Sequence, residues 1–435
     1  MYGFLVAASA ADPVLSREDA AFLDRLERAT FDFFWQEANP RNGLIKDRST
    51  PDSPCSIAAV GFGLSAIHIA IERGWISREA GRDRVLITLR TFAEGRKGPE
   101  LEGTIGYRGW FYHFLDMESG TRAVKLWKSE LSSIDTGFFL AGVLDAREFF
   151  NRGHADERSI RDFADRLVRS VDWGWMADGG NLLRHGWNPE SGFIPHRYQG
   201  YNEAMLLYVL ALGADALQPA SERASAPIVS WDAWTRTYQW STEHGYIVFP
   251  PLFGHQYSHC WIDFRGIADA YLRKKGIDYF ENSRRATFAQ RAYCIANPGS
   301  FPNYGPEEWG LTACDGPGRD GYSGYQARGA PPPENDDGTI SPAAVGGSLP
   351  FAPEICLPAL RNFDAKYHDR LWTRFGFGDA FNVKANWFGT VTLGIDQGPI
   401  LLMAANYRNG SVWKRMRQSA VIQHGLARAG FKPLG

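Results

Sequence analysis

Six stretches of this chain are apolar on every side of a helix, and they alternate with stretches that are apolar on one side only. The first kind comprises residues 56–73, 132–149, 202–214, 259–275, 341–349 and 396–407. The second kind begins at Ser16, which opens an S-R-E-D capping box, with Phe22, Leu26, Thr30, Phe33 and Phe34 at helical spacing behind it. It continues through residues 77–95, 157–176, 229–241, 279–296, 353–367 and 411–429. A helix apolar all round must be buried on every side, whereas a single apolar stripe suits a helix at a surface. An inner ring of buried helices inside an outer ring satisfies both. The pattern therefore predicts an all-α fold, an (α/α)6 toroid formed by residues 16–435 as one domain. An α-solenoid also alternates helices, but it needs a repeat of fixed period, and the spacing here is uneven.

Charge removes two function classes. The chain has 47 Lys plus Arg against 49 Asp plus Glu, a net charge of −2. A nucleic-acid binder needs a basic face, and a membrane-surface protein needs a polybasic one. No segment reaches the ~18 uncharged apolar residues of a membrane span. Residues 1–15 read as the remnant of a secretory signal, because Phe4 to Ala11 are small and apolar and Ala8-Ser9-Ala10 fits a cleavage site. A periplasmic or secreted protein is expected. Cys55, Cys260, Cys294, Cys314 and Cys356 form no CxxC pair, so they read as buried thiols, and Cys260 has no activating neighbours.

The aromatic load, 15 Trp, 17 Tyr and 28 Phe, falls partly in irregular segments, where core packing does not account for it. Residues 107–127 read as a β-hairpin turning near Glu118-Ser119-Gly120. Residues 297–340 form a long loop rich in Gly, Pro and Asp that also holds Tyr304, Trp309, Tyr322 and Tyr325. A loop of that length inside a compact domain is usually functional.

Three acidic residues open inner helices: Asp135 after Ser132, Glu203 after Asn202, and Asp396 in D-Q-G-P. Singly, each reads as a cap meeting the positive end of a helix. In a toroid the inner helices run parallel, so Asp135, Glu203 and Asp396, with Glu130 close by, would ring one mouth. Carboxylates around an aromatic cleft are the equipment of glycoside hydrolysis, in which one acid protonates the leaving oxygen and another activates water. The loops before the inner helices add Asp47, Arg48, Trp187, His196, Tyr198, Tyr201, His259 and Trp387, residue types that stack on sugars or bond to hydroxyls.

The strings FDFFWQEANPRNGLIKDRS, SIAAVGFGLSAI, WKSELSSIDTGFFLAGVL, FIPHRYQGYNEAMLLYVLALG, PPLFGHQYSHCWIDFRGIADAY and NWFGTVTLGIDQGP resemble the bacterial glucoamylase-like family, whose characterised members are endo-β-1,2-glucanases of glycoside hydrolase family 144. The resemblance covers roughly residues 20–430. It implies an (α/α)6 barrel that hydrolyses linear β-1,2-glucan to sophoro-oligosaccharides with inversion, while some relatives release sophorose from chain ends. It points to Glu203, Glu130 and Asp135 as catalytic candidates and, by analogy with a related family, to Asp396 on the base side; beside the apolar Met205-Leu206-Leu207 run Glu203 would stay protonated as the general acid, with Asp396 or Asp135 as base. Substrate contacts are expected from Asp47, Arg48, Trp187, Tyr201, His259, Tyr304, Trp309, Tyr325 and Trp387. No cofactor and no metal are expected, and the partner is a glucan met by a monomer, with no nucleic acid and no membrane insertion.

Rival readings have residues of their own. His255 and His259 have the i,i+4 spacing of a zinc pair without a third ligand. Asp315, Asp320, Asn335, Asp336 and Asp337 offer oxygens to calcium, but not at EF-hand spacing. A polysaccharide lyase could use Tyr257 and His259, though it would want a basic cleft. A catalytically inactive glycan-binding protein on the same toroid would bind sugar and release nothing.

Overall fold

In the computed structural model, which describes residues 15–124, 128–223, 226–318 and 324–434, the two kinds of helix lie in two concentric rings. The N-terminal signal reading, the last residues of the hairpin reading (Lys125 to Trp127), Asp320 and Tyr322 fall outside the described residues. In chain order the helices are α1 Arg17–Gln36, α2 Ile57–Glu72, α3 Arg78–Glu94, α4 Ser133–Phe149, α5 Ala155–Arg169, α6 Trp173–Ala177, α7 Met205–Gly213, α8 Trp231–Thr235, α9 Ala270–Lys275, α10 Tyr279–Ala296, α11 Pro342–Gly346, α12 Pro353–Leu371, α13 Gly394–Asn409, α14 Ser411–Met416 and α15 Ala420–Arg428.

The inner ring runs α2, α4, α7, a pair of 3-10 turns (Leu252–His255 and Tyr257–Cys260), α11 and α13, and α13 packs back on α2. Gln256 joins the 3-10 turns to α11 by donating to the Ala344 carbonyl at 2.7 Å and to Ser348 Oγ at 2.8 Å. Outside, α1 covers α2 and α13, α5 covers α4, and α12 covers α11. The expected (α/α)6 toroid is present. Its inner helices are parallel, with their N-termini at one end; α14 packs against the far ends of α2 and α4, and α15 lies along α7.

The first two inner helices approach closely because their facing positions are glycines. A Cβ on Gly142 would lie 2.1 Å from the Gly61 carbonyl oxygen, and one on Gly61 would lie 2.3 Å from the carbonyl oxygen of Phe138. Backbone cannot yield as a side chain does. Gly142→Ala is expected to cost about 1–3 kcal/mol in urea denaturation, and an unchanged midpoint would show that α2 and α4 can separate there.

Several segment predictions need correction. The fourth inner segment, 259–275, is not one helix. Asp263 accepts the Arg265 N–H at 3.1 Å and pairs with the Arg265 side chain, and Gly266 follows at φ 72°, so a turn replaces the helix. The 229–241 stretch is helical only over α8, because Trp240–Ser241 instead pairs with Tyr246–Ile247. The 157–176 and 411–429 stretches each break into two helices. The 107–127 hairpin is present around its predicted turn, where the Gly120 N–H donates to the Asp116 carbonyl, the Asp116 N–H to the Thr121 carbonyl and the Ala123 N–H to the Phe114 carbonyl, but it is short, and the other edge of Phe114–Leu115 lies against Cys55–Ser56. Among the described residues no helix is long and apolar enough to cross a membrane, and all five cysteines are buried free thiols.

Candidate active site

The mouth is built from the loops that enter the inner helices. Ser132 caps α4 by accepting the Asp135 N–H at 3.3 Å, and its hydroxyl donates to the Asp135 carboxylate. The Ile57 N–H at the start of α2 donates to the His113 carbonyl, and the His113 N–H donates to the Glu130 carbonyl. His113 therefore sits between the first two inner helices. Its Nδ1 lies 3.0 Å from Glu130 and its Nε2 lies 3.6 Å from Asp135. Burial works against its charge, but Asp135 and the hydrogen bond to Glu130 outweigh that and raise it to about 9. The same hydrogen bond holds Glu130 below the ordinary carboxylate range despite burial, while burial pushes Asp135 up against the charge of His113. Ligating atoms of the three lie within 4.8 Å of one another, as a metal site would have them. Each ring nitrogen already faces a carboxylate, so the group is self-satisfied as an ion-paired triad.

Glu203 lies in the turn just before α7, where Asn202 Oδ1 accepts the Ala204 N–H at 3.0 Å. Ser258, from the second 3-10 turn, accepts the Leu206 N–H at 2.9 Å and donates to the Glu203 carbonyl at 3.1 Å. This one hydroxyl fixes the backbone of Glu203 against the 3-10 turn that takes the fourth place in the inner ring. Burial raises the Glu203 carboxyl to about 7, and the charge of Asp135 adds to the shift. The neighbouring Tyr198, stacked on His185 at 4.0 Å, lies within electrostatic reach of Glu203, Asp135 and Glu130.

Asp396 sits in the first turn of α13. It interacts with a second buried carboxyl, Asp379, whose Oδ2 accepts the Asp315 N–H at 2.6 Å. Burial and the charge of Asp379 together push Asp396 far up, and burial also pushes Asp379 up. Arg48 binds Asp47 at 3.0 Å and Asp315 at 3.2 Å, and the Asp47 carbonyl accepts the Gly394 N–H. The predicted pair Asp47 and Arg48 thus lies against the start of α13.

These acids share one mouth. Tyr257 is within electrostatic reach of both Asp396 and Glu203, and Asp47 reaches His113 and Asp135 on one side and Tyr325 on the other. Tyr325 is 49% exposed. Trp187 is partly exposed beside Tyr107 and Trp175, on a strand paired to Leu131 next to Glu130. Trp387 is partly exposed in the strand opposite Phe381–Asn382, just beyond Asp379.

Four expected substrate contacts are corrected. His259 is fully buried, its Nε2 3.2 Å from Ser283 Oγ, its ring among Phe264, Phe280 and Phe351. Tyr201 is buried against Tyr279, Tyr238 and His255. Trp309 is wholly buried, and Tyr304 is buried with its hydroxyl donating to Asp336 at 2.6 Å. Their chain segments look like loop in sequence, yet they carry a second core of their own with Phe301 and Leu311. His255 is likewise a core residue, bonded to Tyr201 and to the Phe249 carbonyl, and burial lowers both histidines to about 3. Of the calcium candidates, Asp337 is paired with Arg328 and Asp336 accepts from two tyrosines.

Sequence reasoning missed His113 and Asp379. Each lies outside the inner-helix starts that directed the search, and only the fold brings them to the mouth. The one available signal for Asp379 was an isolated acid in an otherwise apolar run, FGFGDAF.

Comparison with known proteins agrees with this architecture. The Glycoamylase family model, described as "Putative glucoamylase", matches residues 195–420. A Parabacteroides distasonis protein, an exo β-1,2-glucooligosaccharide sophorohydrolase (non-reducing end), is 31% identical over 436 residues. The match covers 94% of this chain and 57% of that protein, so the chain spans little more than half the length of that relative. A solved structure from Bacteroides uniformis that carries the family's own description superposes with TM-score 0.84 at 32% identity, over 97% of this chain and 99% of that one. The endo-β-1,2-glucanase of Chitinophaga pinensis, solved with sophorotriose and glucose, superposes with TM-score 0.84 at 28% identity, over 96% and 99%. Matches of this extent, on a toroid with its acids gathered at one end, mean that the chain belongs to the glucoamylase-like family.

Proposed function

We propose that this chain is an inverting glycoside hydrolase that cleaves linear β-1,2-glucan internally to sophoro-oligosaccharides. Residues 16–435 form its single catalytic domain, acting as a monomer in the periplasm or outside the cell. The observation that carries the reading is Glu203: a carboxyl in the turn that enters α7, raised to about 7 by burial, with the charge of Asp135 near enough to add to the shift. An acid of that kind stays protonated at neutral pH, which is what donating to a glycosidic oxygen requires.

Glu203 donates its proton to the leaving oxygen as the C1–O bond breaks. Asp396 takes a proton from the attacking water on the opposite face, and Asp135 is the alternative base. Inversion needs about 6.5–9.5 Å between the acid and base carboxyls, to admit that water. Tyr325, Trp187 and Trp387 supply sugar-stacking surface, and Arg48 and Asp47 bond to hydroxyls. The density of carboxylates here disfavours a lyase, because a uronic acid chain would be repelled.

Exo action with release of sophorose is the second reading, favoured by the name of the Parabacteroides distasonis relative. The test is incubation with linear β-1,2-glucan beside β-1,3-, β-1,4- and α-1,4-glucans, following products by chromatography and the first anomer by NMR. A ladder of sophoro-oligosaccharides appearing as α-anomers from the β-1,2 chain alone is expected. Sophorose alone from the first time point would replace endo with exo, and no product from β-1,2-glucan would refute the substrate.

A further inference from the structure

Asp379 is fastened on three sides. Its N–H donates to the Val391 carbonyl at 3.0 Å, its carbonyl accepts the Ser341 hydroxyl at 2.7 Å, and its Oδ2 accepts the Asp315 N–H at 2.6 Å. Among the described residues its remaining oxygen, Oδ1, is buried and meets no donor, and Asp396 Oδ2 is buried without a donor too. The two side chains nevertheless interact directly with each other. Two carboxylates this close and this dry cannot both be ionised. The charged and titratable groups around them are Asp47, Arg48, Asp315, Cys314, Tyr257 and Tyr325. Arg48, the cation of that set, is already shared between Asp47 and Asp315. A single proton shared by the two carboxyls would lift the repulsion between them and give the pair a hydrogen bond.

We propose that Asp379 is a positioning residue that shares one proton with Asp396, so that the base of the reaction is the pair and not a lone aspartate. This rests on the reading of Asp396 as base. As the water oxygen bonds to C1, its proton passes to Asp396 and the shared proton moves onto Asp379, so that the pair goes from one negative charge to none. The leaving oxygen takes the Glu203 proton. After product release the pair returns one proton to solvent and Glu203 takes one back, so the cycle closes on water and glucan alone. A dyad of this kind titrates as a unit.

The test is kcat/KM against pH on linear β-1,2-glucan for wild type, Asp379→Ala, Asp379→Asn and Asp396→Asn. Asp379→Ala strips Asp396 of its hydrogen-bond partner, so the acid limb should move up by about one pH unit or more with a lower rate at the optimum. Asp379→Asn supplies an amide N–H in its place and should bring the limb back towards wild type. Were Asp379 a separate carboxylate, both variants would remove a like charge and move the limb down, which would overturn the inference. A lower rate with an unmoved limb in Asp379→Ala would reduce Asp379 to a structural role and also overturn it. An active Asp396→Asn would refute the base reading itself. Should Asp379→Ala fail to fold, infrared spectra of the remaining proteins decide. In a Glu203→Gln background at pH 8, the difference spectrum between the proteins with Asp379 and with Asp379→Asn should contain a protonated carboxyl stretch lost with the substitution, and a difference spectrum without that band would count against the shared proton.

Discussion

Glu203→Gln is expected to lose about a hundred- to ten-thousand-fold in kcat on β-1,2-glucan, the range that a positioned general acid contributes, while the protein remains folded. Gln keeps the shape and cannot donate a proton of the required acidity. The same substitution should change stability with the opposite sign. Glu203 has its folded value raised from 4.5 to about 7. Its contribution is therefore fully present below about pH 4.5 and is lost as pH rises through about 7. At pH 8 the wild type holds a partly buried carboxylate that Gln removes. The variant should then be more stable by about 1–3 kcal/mol, the full shift being discounted for the partial exposure of the side chain. Thermal melts at pH 5 and pH 8 check this: the gain should appear at pH 8 and be absent at pH 5. Equal gains at both would mean that the carboxyl is not raised.

Asp145→Ala should be the most damaging single change to the fold. Asp145 is fully buried in α4 and accepts from Arg415 of α14 at 2.7 and 3.3 Å. His68 of α2 lies 3.2 Å away, and Arg415 also binds Glu72 at the end of α2. This one carboxylate ties two inner helices to the helix that closes the far end of the barrel. Burial opposes its charge, but Arg415 and then His68 outweigh burial and hold it far below the ordinary range. Removing it leaves a buried guanidinium half-paired, a loss of about 3–5 kcal/mol. The native interaction is complete above about pH 4 and is lost as acid protonates the group. Denaturant titration of Asp145→Ala at pH 7 measures the loss. A double replacement, Asp145→Leu with Arg415→Met, should recover much of it, because no unpaired charge then remains.

The architecture was legible because burial on all sides and burial on one side leave different traces in sequence. Five of the six inner segments are helical where the apolar runs lie. The fourth gave the same hydropathy signal, yet Asp263 and Gly266 turn the chain there, and periodicity does not register a side chain bonding to its own backbone. The gathering of Asp135, Glu203 and Asp396 followed from parallel inner helices alone. What aromatic composition could not tell apart was a sugar platform and a local core: Tyr325 is exposed, whereas Trp309, similarly placed in a Gly- and Pro-rich stretch, is sealed. The partners that tune the acids were also out of reach. His113 sits 17 residues before Glu130 and Asp379 lies on a hairpin, so their contacts exist only in three dimensions.

The most direct test of the account is the rate of sophoro-oligosaccharide release from linear β-1,2-glucan between pH 4 and pH 9, with wild type and Glu203→Gln in parallel. The account predicts hydrolysis by the wild type with an alkaline limb near pH 7, where Glu203 loses its proton, and almost none by the variant at any pH. Substantial hydrolysis by Glu203→Gln, or a wild-type rate that climbs steadily through pH 9, would contradict it.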